Sequence, residues 1–196
     1  MGEIGTKEKI LQIAHQLFSQ KGFDGVSVRD ISNEAGVNVS AISYHFENKE
    51  NLFKETIRAC MNEMSQTVRG LYDKSESCDT NQLALRIYDY FMENSEALKL
   101  SFKMFVIDAH IFPQDVNKED DFIGPPGSKV MYDCILKEKP KAKTEDIVWA
   151  VRTIFTQITH KSLLMSSHCV DRVKDMDEKQ VKRHLKRVVR VVLADL

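Results

Sequence analysis

What this chain has little of narrows its class first. Its four cysteines, Cys60, Cys78, Cys134 and Cys169, stand far apart and form no CxxC pair. That argues against a disulfide framework or a zinc ribbon and for reduced thiols in a cytoplasmic protein. His160, His168 and Cys169 match no metal-ligand spacing, so neither a metal nor a cofactor is expected. No apolar run approaches the roughly 20 residues needed to cross a bilayer. The N-terminus lacks the charged-then-apolar layout of a signal peptide. A phosphate-cradling glycine loop, an HExxH pair and a nucleophile beside its base are all missing, so nothing points to an enzyme. Charge of one sign is missing too. The 28 Lys and Arg against 29 Asp and Glu leave a net −1, which excludes a protein that holds nucleic acid by being basic throughout.

What is present is helical periodicity. Ile10, Ile13, Ala14, Leu17 and Phe18 recur at i, i+3, i+4, i+7 and i+8, an amphipathic helix with one buried stripe. Thr6 is expected to cap it, and Lys21-Gly22 to stop it. Ser27, with Asp30 three residues on, reads as a capping box for a short helix that turns Val28, Ile31 and Ala35 inward. Asn38 is a good N-cap for another, with Val39 and Ile42 inward. Asn48 begins a long helix to about residue 74. Beyond it, 81–94, 95–112, 130–136, 144–166 (capped by Thr144) and 177–196 read as helices. The stretch 113–129 is irregular, acidic and then Gly/Pro-rich. Strand-type alternation of useful length and internal repeats are absent. The fold expected is all-α.

Two short helices around Ala35-Gly36-Val37 have the layout of a helix-turn-helix. Its second helix must bring small or polar residues to base edges in the major groove. From Asn38 to His45 the outward residues are Ser40, Ala41, Ser43 and Tyr44. Lys49, in the first turn of the next helix, can hold a phosphate.

The whole stretch TKEKILQIAHQLFSQKGFDGVSVRDISNEAGVNVSAISYHFENKENLFKETI, Thr6–Ile57, resembles the N-terminal domain of the tetracycline-repressor (TetR) family. The carrying features are the Leu17-Phe18 pair, Gly22-Phe23, Ser27 leading to Ile31, Ala35-Gly36-Val37, Tyr44-His45-Phe46 and Lys49-Glu50 with Leu52. The resemblance implies a three-helix DNA-binding head, residues 1–50, on a larger body, residues 51–196, that senses a ligand and dimerises. It implies a homodimer on a pseudo-palindromic duplex operator, released by a small-molecule effector. Control by a protein partner is the alternative. By position, Ser27 and Arg29 contact the DNA backbone, Asn38, Val39, Ser40, Ala41, Ser43, Tyr44 and His45 form the reading helix, and Lys49 clamps phosphate. Relatives often carry glycine where Ser40 stands and an aromatic where Ser43 stands, which leaves the ring to Tyr44. Residues 1–57 hold Lys7, Lys9, Lys21, Arg29, Lys49 and Lys54 against eight Asp and Glu, a net of −2. Either the cations share one face or the contact leans on neutral donors.

In the body, the helix at 144–166 is apolar nearly all round, so something besides its own core must cover it. A second copy is the economical choice, through Trp149, Ile154 and Ile158, joined by the stripe Val181, Leu185, Val188 and Val192 of the last helix. The resemblance implies that these two helices pair with their copies as a four-helix bundle. The cations of the last helix read as a solvated face. A ligand pocket is expected among Phe102, Phe105, His110, Tyr132, Phe155 and His160, the two histidines because burial obliges them to find partners.

Overall fold

The computed structural model describes residues 5–73, 79–95, 98, 102, 111, 123–166 and 177–196. Among them lie eight helices: α1 (Thr6–Lys21), α2 (Val28–Ala35), α3 (Val39–Phe46), α4 (Lys49–Asp73), α5 (Thr80–Glu93), α6 (Ser128–Glu138), α7 (Thr144–Met165) and α8 (Glu178–Ala194). The described residues contain no strand, and the all-α class holds. Most of the helix expected at 95–112 and of the irregular stretch at 113–129 lies outside the described residues. No described helix is long and apolar enough to cross a membrane.

The chain forms two compact units, Met1–Asn62 with Lys99–Val116, and Glu63–Leu98 with Asn117–Leu196. The division falls inside α4, because α4 contributes to two cores. Leu52, Phe53, Ile57 and Met61 belong to the first, with Ile10, Ala14, Phe18, Ile31, Ile42, Phe46 and also Ile111. Met64 and Val68 belong to the second.

The caps divide by how local their chemistry is. The Ser27 hydroxyl accepts the Asp30 N–H at 3.1 Å, and the Asp30 carboxylate accepts the Ser27 N–H at 2.8 Å, so the capping box of α2 is complete. Asp177 and Gln180 make the same reciprocal pair at α8. Asn48 accepts the Asn51 N–H at 2.8 Å at the head of α4. Thr6 and Thr144, expected as caps, are instead the first helical residues. The cap positions fall to Gly5 and Lys143, whose side chains make no capping bond.

In the second unit α5 packs against α6, α7 and α8, with Leu83, Ile87, Tyr88 and Phe91 inward. Its start is fastened twice. Asp79 accepts the Gln82 N–H at 2.7 Å, and Glu138 of α6 accepts the Thr80 N–H. At its other end Lys182 of α8 reaches Asp89 at 2.7 Å and Glu178 at 2.8 Å. Those two hydrogen bonds hold the lysine's pKa well above its ordinary value.

Candidate nucleic-acid interface

The first unit is organised around three rings. Phe18 meets Phe53 edge-on at 5.0 Å between centroids, Phe23 meets Phe53 at 5.1 Å, and Phe18 stacks on Phe23 at 6.1 Å. Gly22 makes this possible. Its φ of 74° ends α1 by returning its N–H to the Phe18 carbonyl at 2.7 Å, and so sends Phe23 back onto α1. The Lys49 ammonium lies 4.2 Å from the Phe23 centroid, which sets the cation at the start of α4. Gly36, at φ 62°, closes α2 and begins the turn into α3.

α3 is two turns long. Ile42 and Phe46 are its buried residues. Ser40, Ser43 and Tyr44 are exposed, as expected, while Ala41 and His45 are half-buried. Tyr44 is 84% exposed, an unusual setting for a large ring. Val39, expected inward, is 39% exposed. Two turns have room for only one inward row, and Ile42 with Phe46 fills it. Asn38 is the N-cap, its Oδ1 accepting the Ser40 N–H at 3.1 Å. On α2, Ser27 has both its N–H and its hydroxyl hydrogen committed to Asp30, the latter at 2.6 Å. Arg29, in the first turn of α2, is exposed and forms no ion pair among the described residues.

The charges follow a pattern the sequence could not reveal. Glu50 pairs with Lys54 at 2.6 Å and Glu55 with Arg58 at 2.7 Å along α4. Asp30 is drawn into the α2 cap, and its pKa is lowered by the Ser27 side-chain and backbone hydrogen bonds. α3 itself carries no acidic residue. Such a surface offers neutral donors with two flanking cations, Arg29 and Lys49.

Residues 10–56 match the family described as bacterial regulatory proteins, tetR family. The head is thus similar to the tetR family of regulators. The chain is 32% identical over 111 residues to the Probable HTH-type transcriptional regulator YttP of Bacillus subtilis (strain 168), covering 55% of this chain and 54% of that protein. It is 33% identical over 73 residues to the biofilm operon icaADBC HTH-type negative transcriptional regulator IcaR of Staphylococcus epidermidis, covering 37% of this chain and 40% of that protein. The matched stretch thus spans about half the length of the first and two fifths of the second. A tetR-family transcriptional regulator from Streptomyces coelicolor has the same fold across 100% of this chain and 91% of its own, with a TM-score of 0.68 at 16% identity.

Outside the head, the body residues named from sequence scatter. Phe155 is fully buried in the second core. Tyr132 is half-buried at the edge of that core, its hydroxyl 3.5 Å from the Thr144 hydroxyl. His160, expected to be buried, is exposed, because it falls on the outer row of α7 with Trp149, Thr153 and Thr156. Phe102 is 43% exposed and falls with the first unit. Phe105 and His110, like His168 and Cys169, lie outside the described residues. Of the expected pocket residues that are described, Phe155 and Tyr132 share the second core and His160 turns away from it.

The expected interface set divides as well. Ile154, Ile158, Val181 and Leu185 are buried in the unit's own core, so their side chains are not available to a second copy. Val188 and Val192 are half-buried, since the inward row of α8 continues through Val189 and Leu193. Trp149 is 66% exposed, with the Arg152 guanidinium 5.5 Å from its ring. Val191, not anticipated, is 54% exposed.

Buried hydroxyls also escaped the sequence. The Tyr88 hydroxyl, on a fully buried side chain, and the Ser128 hydroxyl have no hydrogen-bond partner among the described residues. Burial pushes the Tyr88 phenol's pKa up. The signal available was a tyrosine on the apolar stripe of α5, one residue after Ile87.

Proposed function

We propose that this chain is a homodimeric transcriptional repressor that binds a pseudo-palindromic duplex operator through α3 and leaves it when a small-molecule effector enters the body. The observation that carries the reading is Tyr44. A ring 84% exposed on a short, capped helix has no role in the head's own core, and its hydroxyl suits a phosphate oxygen. The tetR-family match of the head supports DNA as the partner. That IcaR is a negative regulator supports repression as the mode.

Dimerisation rests on Trp149 and Val191, large apolar groups left in water on α7 and α8. Effector control rests on Tyr88. An unpaired hydroxyl in an apolar core costs about 1–3 kcal/mol, and a ligand carrying a hydrogen-bond partner for it relieves that cost. α4 then passes the signal, because it is one 25-residue helix with Lys49 at its first position and Val68 in the body's core. The effector acts through its difference in affinity between the two states.

The test is a gel-shift titration of Tyr44→Phe and Lys49→Ala against the operator. Each is expected to weaken binding at least fivefold while the protein stays folded and dimeric. Unchanged binding by both variants removes α3 and the start of α4 from the contact surface.

A further inference from the structure

α3 lacks the side chains that read guanine or adenine by paired hydrogen bonds. Arginine or lysine grips guanine O6 and N7, and asparagine or glutamine grips adenine N6 and N7. α3, VSAISYHF, contains none of these. Asn38 immediately before it has its side-chain oxygen committed to the Ser40 N–H at 3.1 Å, so bidentate reading of adenine costs the helix its cap. His45 is half-buried, with its ring 5.1 Å from that of Tyr44.

What α3 presents is apolar surface and hydroxyls. Val39 and Ser43 lie one turn apart, as do Ser40 and Tyr44, so the four share a face. All four are exposed, Val39 in the first turn, the end of a recognition helix that meets the bases. Serine hydroxyls donate or accept and discriminate little between bases. The distinctive apolar group of the major groove is the C5-methyl of thymine.

We propose that α3 reads thymine methyl groups through Val39 and the Tyr44 ring, so that the half-site base pairs facing it are A·T. This rests on the DNA-binding reading above and adds the base chemistry that the head selects.

Uracil tests it, since it differs from thymine only in that methyl. On the operator recovered from random duplexes, each half-site thymine is replaced singly by deoxyuridine. Wild type is expected to lose about fourfold in affinity at one or two of these positions, the effect of one buried methyl. Val39→Ala, a surface change that leaves the core intact, is expected to bind more weakly and to lose its sensitivity at one of them. A half-site of G·C pairs opposite α3, or wild-type affinity unmoved by uracil at every thymine, overturns the proposal while leaving DNA binding in place. If no duplex is bound at all, the DNA-binding reading falls, and this inference with it.

Discussion

Glu47 has φ 65° and ψ −54°, and among the described residues it alone is at positive φ without being glycine. The Asn48 N–H returns to the Phe46 carbonyl at 2.7 Å, closing a strained three-residue γ-turn between α3 and α4. Conformations of this kind cost about 1–3 kcal/mol. Glu47→Gly is therefore expected to stabilise the protein by about 1 kcal/mol, raising Tm by about 2–4 °C. A lower Tm in calorimetry contradicts the strain. Tyr88 poses the complementary case. Tyr88→Phe removes an unpaired buried hydroxyl and is expected to raise stability by about 1 kcal/mol while weakening the response to effector. A clear loss of stability in denaturant titration shows that the hydroxyl is satisfied. Neither residue was legible as special in the sequence, because strain and lost partners belong to the assembled backbone.

At the scale of elements, legibility tracked how local the deciding interaction is. The capping box of Ser27 and Asp30 spans four residues and was read correctly. Thr6 and Thr144 were misplaced by one position, since a helix start shifts by a residue at little cost when no side chain bonds to it. α3 shows a second limit. Over two turns Val39 can face either way, and packing of Ile42 and Phe46 decides. α8 shows a third, because after Leu185 both i+3 and i+4 continue an apolar row, and the fold takes Val189 and Leu193. The α2 cap also carries a pH signature. The Asp30 carboxylate has a depressed pKa, so the stability it adds is present above about pH 4 and is lost as pH falls through its lowered value. The Tm advantage of wild type over Asp30→Asn is expected to be constant from pH 5 to 8 and to shrink in stronger acid. An advantage that grows on acidification contradicts the assignment.

For the whole molecule, the head could be recognised because its motifs are spaced along one contiguous stretch. The body could not, since a pocket or an interface is assembled from distant helices. Trp149→Ala, exposed in the single chain, is expected to shift the dimer toward monomer in sedimentation while helicity is retained. A dimer unaffected by it places the seam elsewhere. The acidic head also implies weak dependence on salt. With Arg29 and Lys49 as the cations of each head assigned to phosphate, a dimer neutralises about four phosphates, and log K should fall against log salt with a slope of about −4. A slope near −8 would bring in further cations beside these two.

The most direct test of the central claim is selection of random duplex DNA on the purified full chain at moderate salt. A homodimeric reader is expected to enrich a pseudo-palindrome with half-site centres about one helical turn apart. Enrichment of a single unpaired half-site, or of no sequence, contradicts a symmetric dimer reading DNA through α3.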